Sequence, residues 1–191
     1  MIEPARRTPR KRTHEKEAST RLNKISMTQR KWLLSLHLLF SAIMLGTAVA
    51  FLILSIAAAS TADEGILKAC YRGMLILSRT SVRASTIGTI VTGILLSVWT
   101  QWGLFKYYWI IAKEALTVLS VLIGPFGMHL WSLRAVELTQ AYGLGALHDP
   151  AFAANRSQMM TGIALQIVSL AAMFVLSVFK PWGRRRKKRG D

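Results

Sequence analysis

Four ionisable side chains stand inside otherwise apolar runs of this chain: His37, Lys113, Glu114 and His129. In hydrocarbon such groups are costly, so they turn toward a bundle interior, pair with one another, or serve a function. A histidine there offers a ring nitrogen to a ligand or a hydrogen bond to a neighbouring helix. A lysine offers a counter-charge to a carboxylate or propionate. Ordinary structural roles stand beside these. Lys113 and Glu114 can snorkel toward the membrane surface, His129 suits an interfacial position, and His37 can bond a Ser or Thr of another helix. Depth separates the four. His37 is six residues past Lys31 and Lys113 seven past Lys106, about 9 and 10 Å along their helices. These positions predict a polar cluster of His37, Lys113 and Glu114 at one level. His129, about 24 Å beyond Lys113, stands apart.

The elements that position these groups follow from the charge pattern. The chain has 191 residues, 52% hydrophobic, with a formal net charge of +16. Ten of its 25 Lys and Arg lie in residues 1–31 and seven in 180–191, so the ends are basic and the middle is apolar. That argues for a membrane core with solvated tails and against a soluble hydrolase or a specific nucleic-acid binder. Uncharged runs cover 32–62, 84–105 and 157–179, and a fourth, 107–131, is interrupted only by Lys113 and Glu114. Each is long enough for a helix of about 20 residues to cross the hydrocarbon. None alternates as a barrel strand would. The expected fold is all-α: an integral membrane four-helix bundle with spans at about 32–58, 84–105, 107–131 and 157–179. An extra amphipathic helix is expected between spans one and two. The domain plan is a disordered basic tail (1–30), the membrane domain (31–180) and a polybasic tail (181–191). Residues 1–26 stand before Met27 and TQRKWLL as an extension that a later start, at Met27, would omit.

Cations orient the bundle. With four spans, both tails and Lys106 share one side, which then holds 18 Lys and Arg against six on the other. The positive-inside rule places that side, with both termini, in the cytoplasm and the bundle in the inner (plasma) membrane. RRRKKR at 184–189 and the first tail are expected to attract anionic lipid headgroups. The first apolar run is about twice too long for a secretory signal. Cys70 is the single cysteine, which excludes an intramolecular disulfide and a cysteine metal cluster.

Residues 63–83 are too charged to span. At 100° per residue, Lys68, Arg72, Arg79 and Arg83 share one face and Leu67, Cys70, Met74 and Leu77 the opposite one. This amphipathic helix is expected either to lie on the outer interface or to extend span two above it, and packing over the outer mouth of the bundle is the preferred picture. Small residues recur every four positions, Ala42, Gly46 and Ala50 on span one and Ser85, Thr89, Gly93 and Ser97 on span two. That spacing lets helix backbones approach closely, and Gly46 and Gly93 are expected at such contacts.

The run KWLLSLHLLFSAIMLGTAVAFL, Tyr71, and the later IVTGILLSVWTQWGLFKYYWIIAKEALTVL resemble a family of small bacterial four-span membrane proteins over roughly residues 28–130. The shared pattern is Trp32 and His37 opening span one, Gly46, and a Thr92-Gly93 pair in span two. It continues through Thr100, Trp102, Gly103, Leu104 and Phe105 to Tyr108, Trp109 and Lys113. This chain departs from it at Glu114, where an apolar residue is usual, in lacking a proline before span two, and in the position of His129. The resemblance implies an integral membrane protein. The histidine in span one and lysine in span three are distantly similar to copper-resistance D type proteins and to membrane protoporphyrinogen oxidase. That likeness implies haem b as a cofactor, with His37 as its candidate metal contact, and otherwise no metal is assigned.

Two functional expectations remain open. One is a polytopic membrane protein binding haem or another small ligand through His37, Lys113 and Glu114. The other is a non-catalytic membrane subunit or scaffold that associates with a partner membrane protein, or with its own copies, through the small-residue faces.

Overall fold

The computed structural model describes residues 26–99 and 107–182, and these form an all-α bundle of four long helices. The first is α1, Met27–Ser60. The second joins α2, Glu64–Leu77, through a π-helical turn at Ser78–Val82 to α3, Arg83–Trp99. The third joins α4, Tyr108–Val121, through a π-helical segment at Leu122–Met128 to α5, His129–Tyr142, and ends in a 3₁₀ stretch at Gly143–His148. The fourth is α6, Pro150–Phe179. Each long helix is apolar and long enough to cross a membrane.

Local chemistry sets the ends. Ser26 and Gln29 form a capping box: the Gln29 amide donates to Ser26 Oγ at 3.1 Å and the Ser26 amide to Gln29 Oε1 at 2.9 Å. Two orphan amides are satisfied there, so α1 begins at Met27 and takes in the last residues assigned above to a disordered tail. Asp63 caps α2, accepting from the Ile66 amide at 3.0 Å. Asp149 caps α6 ahead of Pro150, a proline position that loses no helical hydrogen bond. At the other end Lys180 turns left-handed with φ 46°, and Pro181 cannot continue the helix.

The helices outrun their apolar spans at the far end, away from the chain termini. The segment 63–83 is amphipathic as expected, with Leu67, Cys70 and Met74 buried and Arg72, Arg79 and Arg83 exposed. It extends the second span as one continuous helix, which corrects the picture of a separate helix over the mouth. Helix three likewise runs on past residue 131 to His148, and helix four starts at Pro150 rather than 157. Charged residues on one face do not stop a helix whose other face is packed.

Helix one packs on helices two and four, and helix three on the same two. The main core lies at the far end: Phe51, Ala58, Leu67, Tyr71, Met74, Ala135, Ala146, Phe152, Met159 and Ile163 are all at most 1% exposed. Tyr71 and Phe152 meet edge to face, ring centroids 5.6 Å apart. Pro125 does not break helix three. It has no amide to donate, and the wider π-helical turn accommodates it. Gly124 faces Val82 across the gap, so the two π-helical segments pack against each other.

Candidate functional site

Four polar groups were expected within the spans, and hydrogen bonds place three of them: His37, Lys113 and His129. Thr92 Oγ1 lies 2.9 Å from His37 Nδ1 and donates its own hydrogen to the Gly88 carbonyl at 2.6 Å. A hydroxyl carries one hydrogen; with that hydrogen on the Gly88 carbonyl, His37 is the donor through Nδ1–H. In the neutral ring, Nε2 then remains an acceptor. The imidazole also rests on Gly93, where an added Cβ would stand 3.3 Å from Cε1. His37 thus ties helix one to helix two.

Lys113 makes the equivalent tie between helices three and four. Its Nζ donates to Ser177 Oγ at 2.8 Å, and Ser177 spends its own hydrogen on the Met173 carbonyl at 2.7 Å. The ammonium also sits 6.0 Å from the centroid of the Trp109 ring, within cation–π range. One turn on, Thr117 Oγ1 lies 3.4 Å from Met173 Sδ. Glu114 keeps a buried Oε1 without a hydrogen-bond partner among the described residues. It pairs with neither His37 nor Lys113.

His129 is engaged elsewhere. Its Nδ1 lies 3.2 Å from Ser78 Oγ, which donates to the Leu75 carbonyl at 2.7 Å. By the same argument His129 donates to Ser78, joining helices two and three at the π-helical turn. Among the described residues, no group of three or more His, Cys, Asp or Glu converges as a metal site would require.

The small-residue faces divide. Gly93 makes its contact with His37, and Thr89 and Ser97 are half-buried. Ala42 and Gly46 are exposed, Ala50 is half-buried, and a side chain at Gly46 would meet nothing within 4 Å. The expectation for Gly46 is therefore corrected. Helix one buries Met44, Thr47, Ala48, Phe51, Ser55 and Ala58, a stripe turned away from Ala42 and Gly46. The close approach falls at Gly88 instead, where an added Cβ would stand 2.6 Å from the Phe40 ring. Trp131 similarly occupies the space beside Gly127 and Gly162, and its carbonyl accepts from Asn155 Nδ2 at 2.9 Å.

Sequence reasoning overlooked Ser177 and Gln166, both within the fourth apolar run. Gln166 is 4% exposed, and its Oε1 has no partner among the described residues. It borders a gap of about 10 Å³ with Met44, Ala48, Phe51, Val82, Gly124 and Met128, room for about one water. A glutamine amid apolar residues was the available signal. A second, open cleft of about 280 Å³ is lined by Ile123, Trp131, Ser157, Gln158, Thr161, Gly162 and Leu165. Neither cavity reaches His37 or Lys113. The TQWGLFK turn, residues 100–106, and both tails lie outside the described residues.

Comparison with protein-family models, curated proteins and solved structures finds no match to this chain. The geometry defines the class, an all-α bundle of four apolar helices tied by polar pairs, and the functional reading rests on that geometry.

The His37–Thr92 tie has a measurable consequence. A double-mutant cycle with His37→Leu and Thr92→Val should give a coupling of about 0.6–1.7 kcal/mol, the range for interhelical hydrogen bonds in membrane bundles. Unfolding of detergent-solubilised protein reads it, and zero coupling would remove the tie.

Proposed function

We propose that this chain is a multi-pass protein of the cytoplasmic membrane, with both termini in the cytoplasm, that acts as a non-catalytic membrane component. One observation carries the reading: His37 and Lys113, the groups best suited to chemistry, each donate to a hydroxyl of the adjacent helix. They hold the bundle together rather than converge on a cavity. The exposed Ala42 and Gly46 and half-buried Ala50 then offer a small-residue face to a helix of a partner protein or of a second copy. The basic tails add attraction to anionic headgroups of the cytoplasmic leaflet.

A second reading keeps a small ligand at the level of His37, with haem b among the candidates. One observation favours it: with Nδ1–H donated to Thr92, the neutral His37 ring keeps Nε2 as an acceptor. In that case His37 would contact the ligand and Lys113 would face its carboxylate, with Glu114 beside them. The clefts beside Trp131 and Gln166 do not extend there, so the first reading has the stronger support.

An absorption spectrum of the detergent-purified chain, oxidised and then reduced, separates the two. A colourless protein that co-purifies with a stoichiometric partner is the expected result, and a Soret band that disappears in His37→Ala would overturn it. Topology has its own test. A reporter fused at residue 191 should behave as cytoplasmic and one near Asp149 as external, and alkaline phosphatase activity from residue 191 would reverse the orientation.

A further inference from the structure

Arg79 and Arg83 are exposed, sit one turn apart on the second long helix, and form no ion pair among the described residues. The described acids are engaged or placed elsewhere. Glu64 pairs with Lys68 and Glu137 with Arg134. Asp63 and Asp149 cap helices, and Glu114 lies at the opposite end of the third helix. His129 is fixed by its bond to Ser78, the residue before Arg79. Two guanidinium groups therefore stand on the stretch of helix two that His129 of helix three bonds, with no acidic partner among the described residues.

Depth makes this cluster more than a solvated face. Helices one and two keep a single antiparallel register. Ser55 Oγ meets Met74 Sδ at 3.9 Å, Thr86 Oγ1 meets Met44 Sδ at 3.8 Å, and His37 bonds Thr92. Arg79, five residues past Met74, is then level with Ala50, and Arg83 is level with Gly46. Those positions are about 27 and 21 Å along helix one from Trp32. A hydrocarbon core is about 30 Å thick, so a bilayer whose near boundary lies at Trp32 has both arginines rooted within its far half. Helical side chains lean toward their own N-terminus, which for this helix is the far end. Long stems carry the guanidinium groups that way, to the level of the far-leaflet phosphates.

We infer that Arg79 and Arg83, on the stretch of helix two that meets His129 of helix three, bind the headgroup phosphate of an anionic phospholipid in the leaflet opposite the chain termini. The inference rests on the membrane reading above and is independent of the attraction of the tails to the other leaflet. Two arginines at i and i+4 are neighbours on one helix face, and their planar forks suit the oxygens of one phosphate. The lipid supplies the missing counter-charge.

The test is native mass spectrometry of the full detergent-solubilised chain, with phosphatidylglycerol or phosphatidylcholine added at equal concentration. Phosphatidylglycerol adducts should predominate, and the preference should fall roughly fivefold for each arginine removed. The double variant R79Q/R83Q should then lose most of the preference, keeping only what the basic tails contribute. K68Q/R72Q removes the same charge farther from the bilayer and should keep the preference. Equal losses from the two double variants would reduce the effect to diffuse attraction and overturn the site, as would an unchanged preference in R79Q/R83Q. Should that variant fail to fold, R79Q and R83Q singly carry the same comparison. Inorganic phosphate that raises the melting temperature of lipid-free protein, with no lipid preference, would reassign the site to a free anion. Alkaline carbonate extraction separates the two levels of failure. A chain released from membranes overturns the membrane reading itself, whereas a retained chain without the lipid preference overturns only this inference.

Discussion

Phe152→Ala should lower the stability of the bundle by about 3–5 kcal/mol, the range for truncating a fully buried aromatic side chain. Phe152 is 1% exposed at the start of α6, and its ring meets that of Tyr71, also 1% exposed, at an interplanar angle of 85°. The substitution removes this contact and leaves a cavity among residues that are themselves fully buried, so the site has little means of collapsing. Its neighbour Asp149 continues to cap the helix, which confines the loss to packing. Thermal or denaturant unfolding in detergent provides the measurement. A change below about 1 kcal/mol, far under the range for such truncations, would mean that the far-end core is not formed as described. Because this core joins all four long helices at the end opposite the termini, the same variant should also raise protease sensitivity there.

Gly88→Leu should destabilise by about 1–3 kcal/mol through overpacking, while Gly46→Leu should leave the isolated chain unchanged or slightly more stable. A Cβ at Gly88 would lie 2.6 Å from three carbons of the Phe40 ring, whereas one at Gly46 has nothing within 4 Å. Replacing a mid-helix glycine also gains helix propensity of up to about 1 kcal/mol. At Gly46 nothing opposes that gain, and at Gly88 the displaced ring outweighs it. The paired measurement, melting of both variants in detergent, tests whether helices one and two meet at Gly88. Equal effects would refute that assignment. Gly46→Leu has a further use: if it leaves the isolated chain intact but abolishes co-purification of a partner, the outward small-residue face is the contact surface.

The amino-acid sequence by itself determined the four helices, because uncharged runs long enough to span hydrocarbon have few other ways to satisfy their backbones. It also determined the faces of residues 63–83, since a 100° rotation per residue places Arg72 and Met74 on different sides whatever surrounds them. Helix ends were less legible. Hydropathy marks where lipid is tolerated, whereas Glu64, His148 and Pro150 are placed by caps and by packing against neighbouring helices. The polar residues show the same division. That His37 and Lys113 required partners followed from their apolar setting, but the identity of those partners, Thr92 and Ser177, depends on how the helices are rotated and aligned. The Gly46 and Gly88 pair gives the reason most directly. Gly46 sits in a small-residue repeat and Gly88 lies outside the one read on span two, yet the rotation of helix one about its axis decided that Phe40 covers Gly88 while Gly46 faces outward. Periodicity fixes which residues share a face. Which face another helix covers is a property of the whole bundle, settled by side chains far apart in the chain.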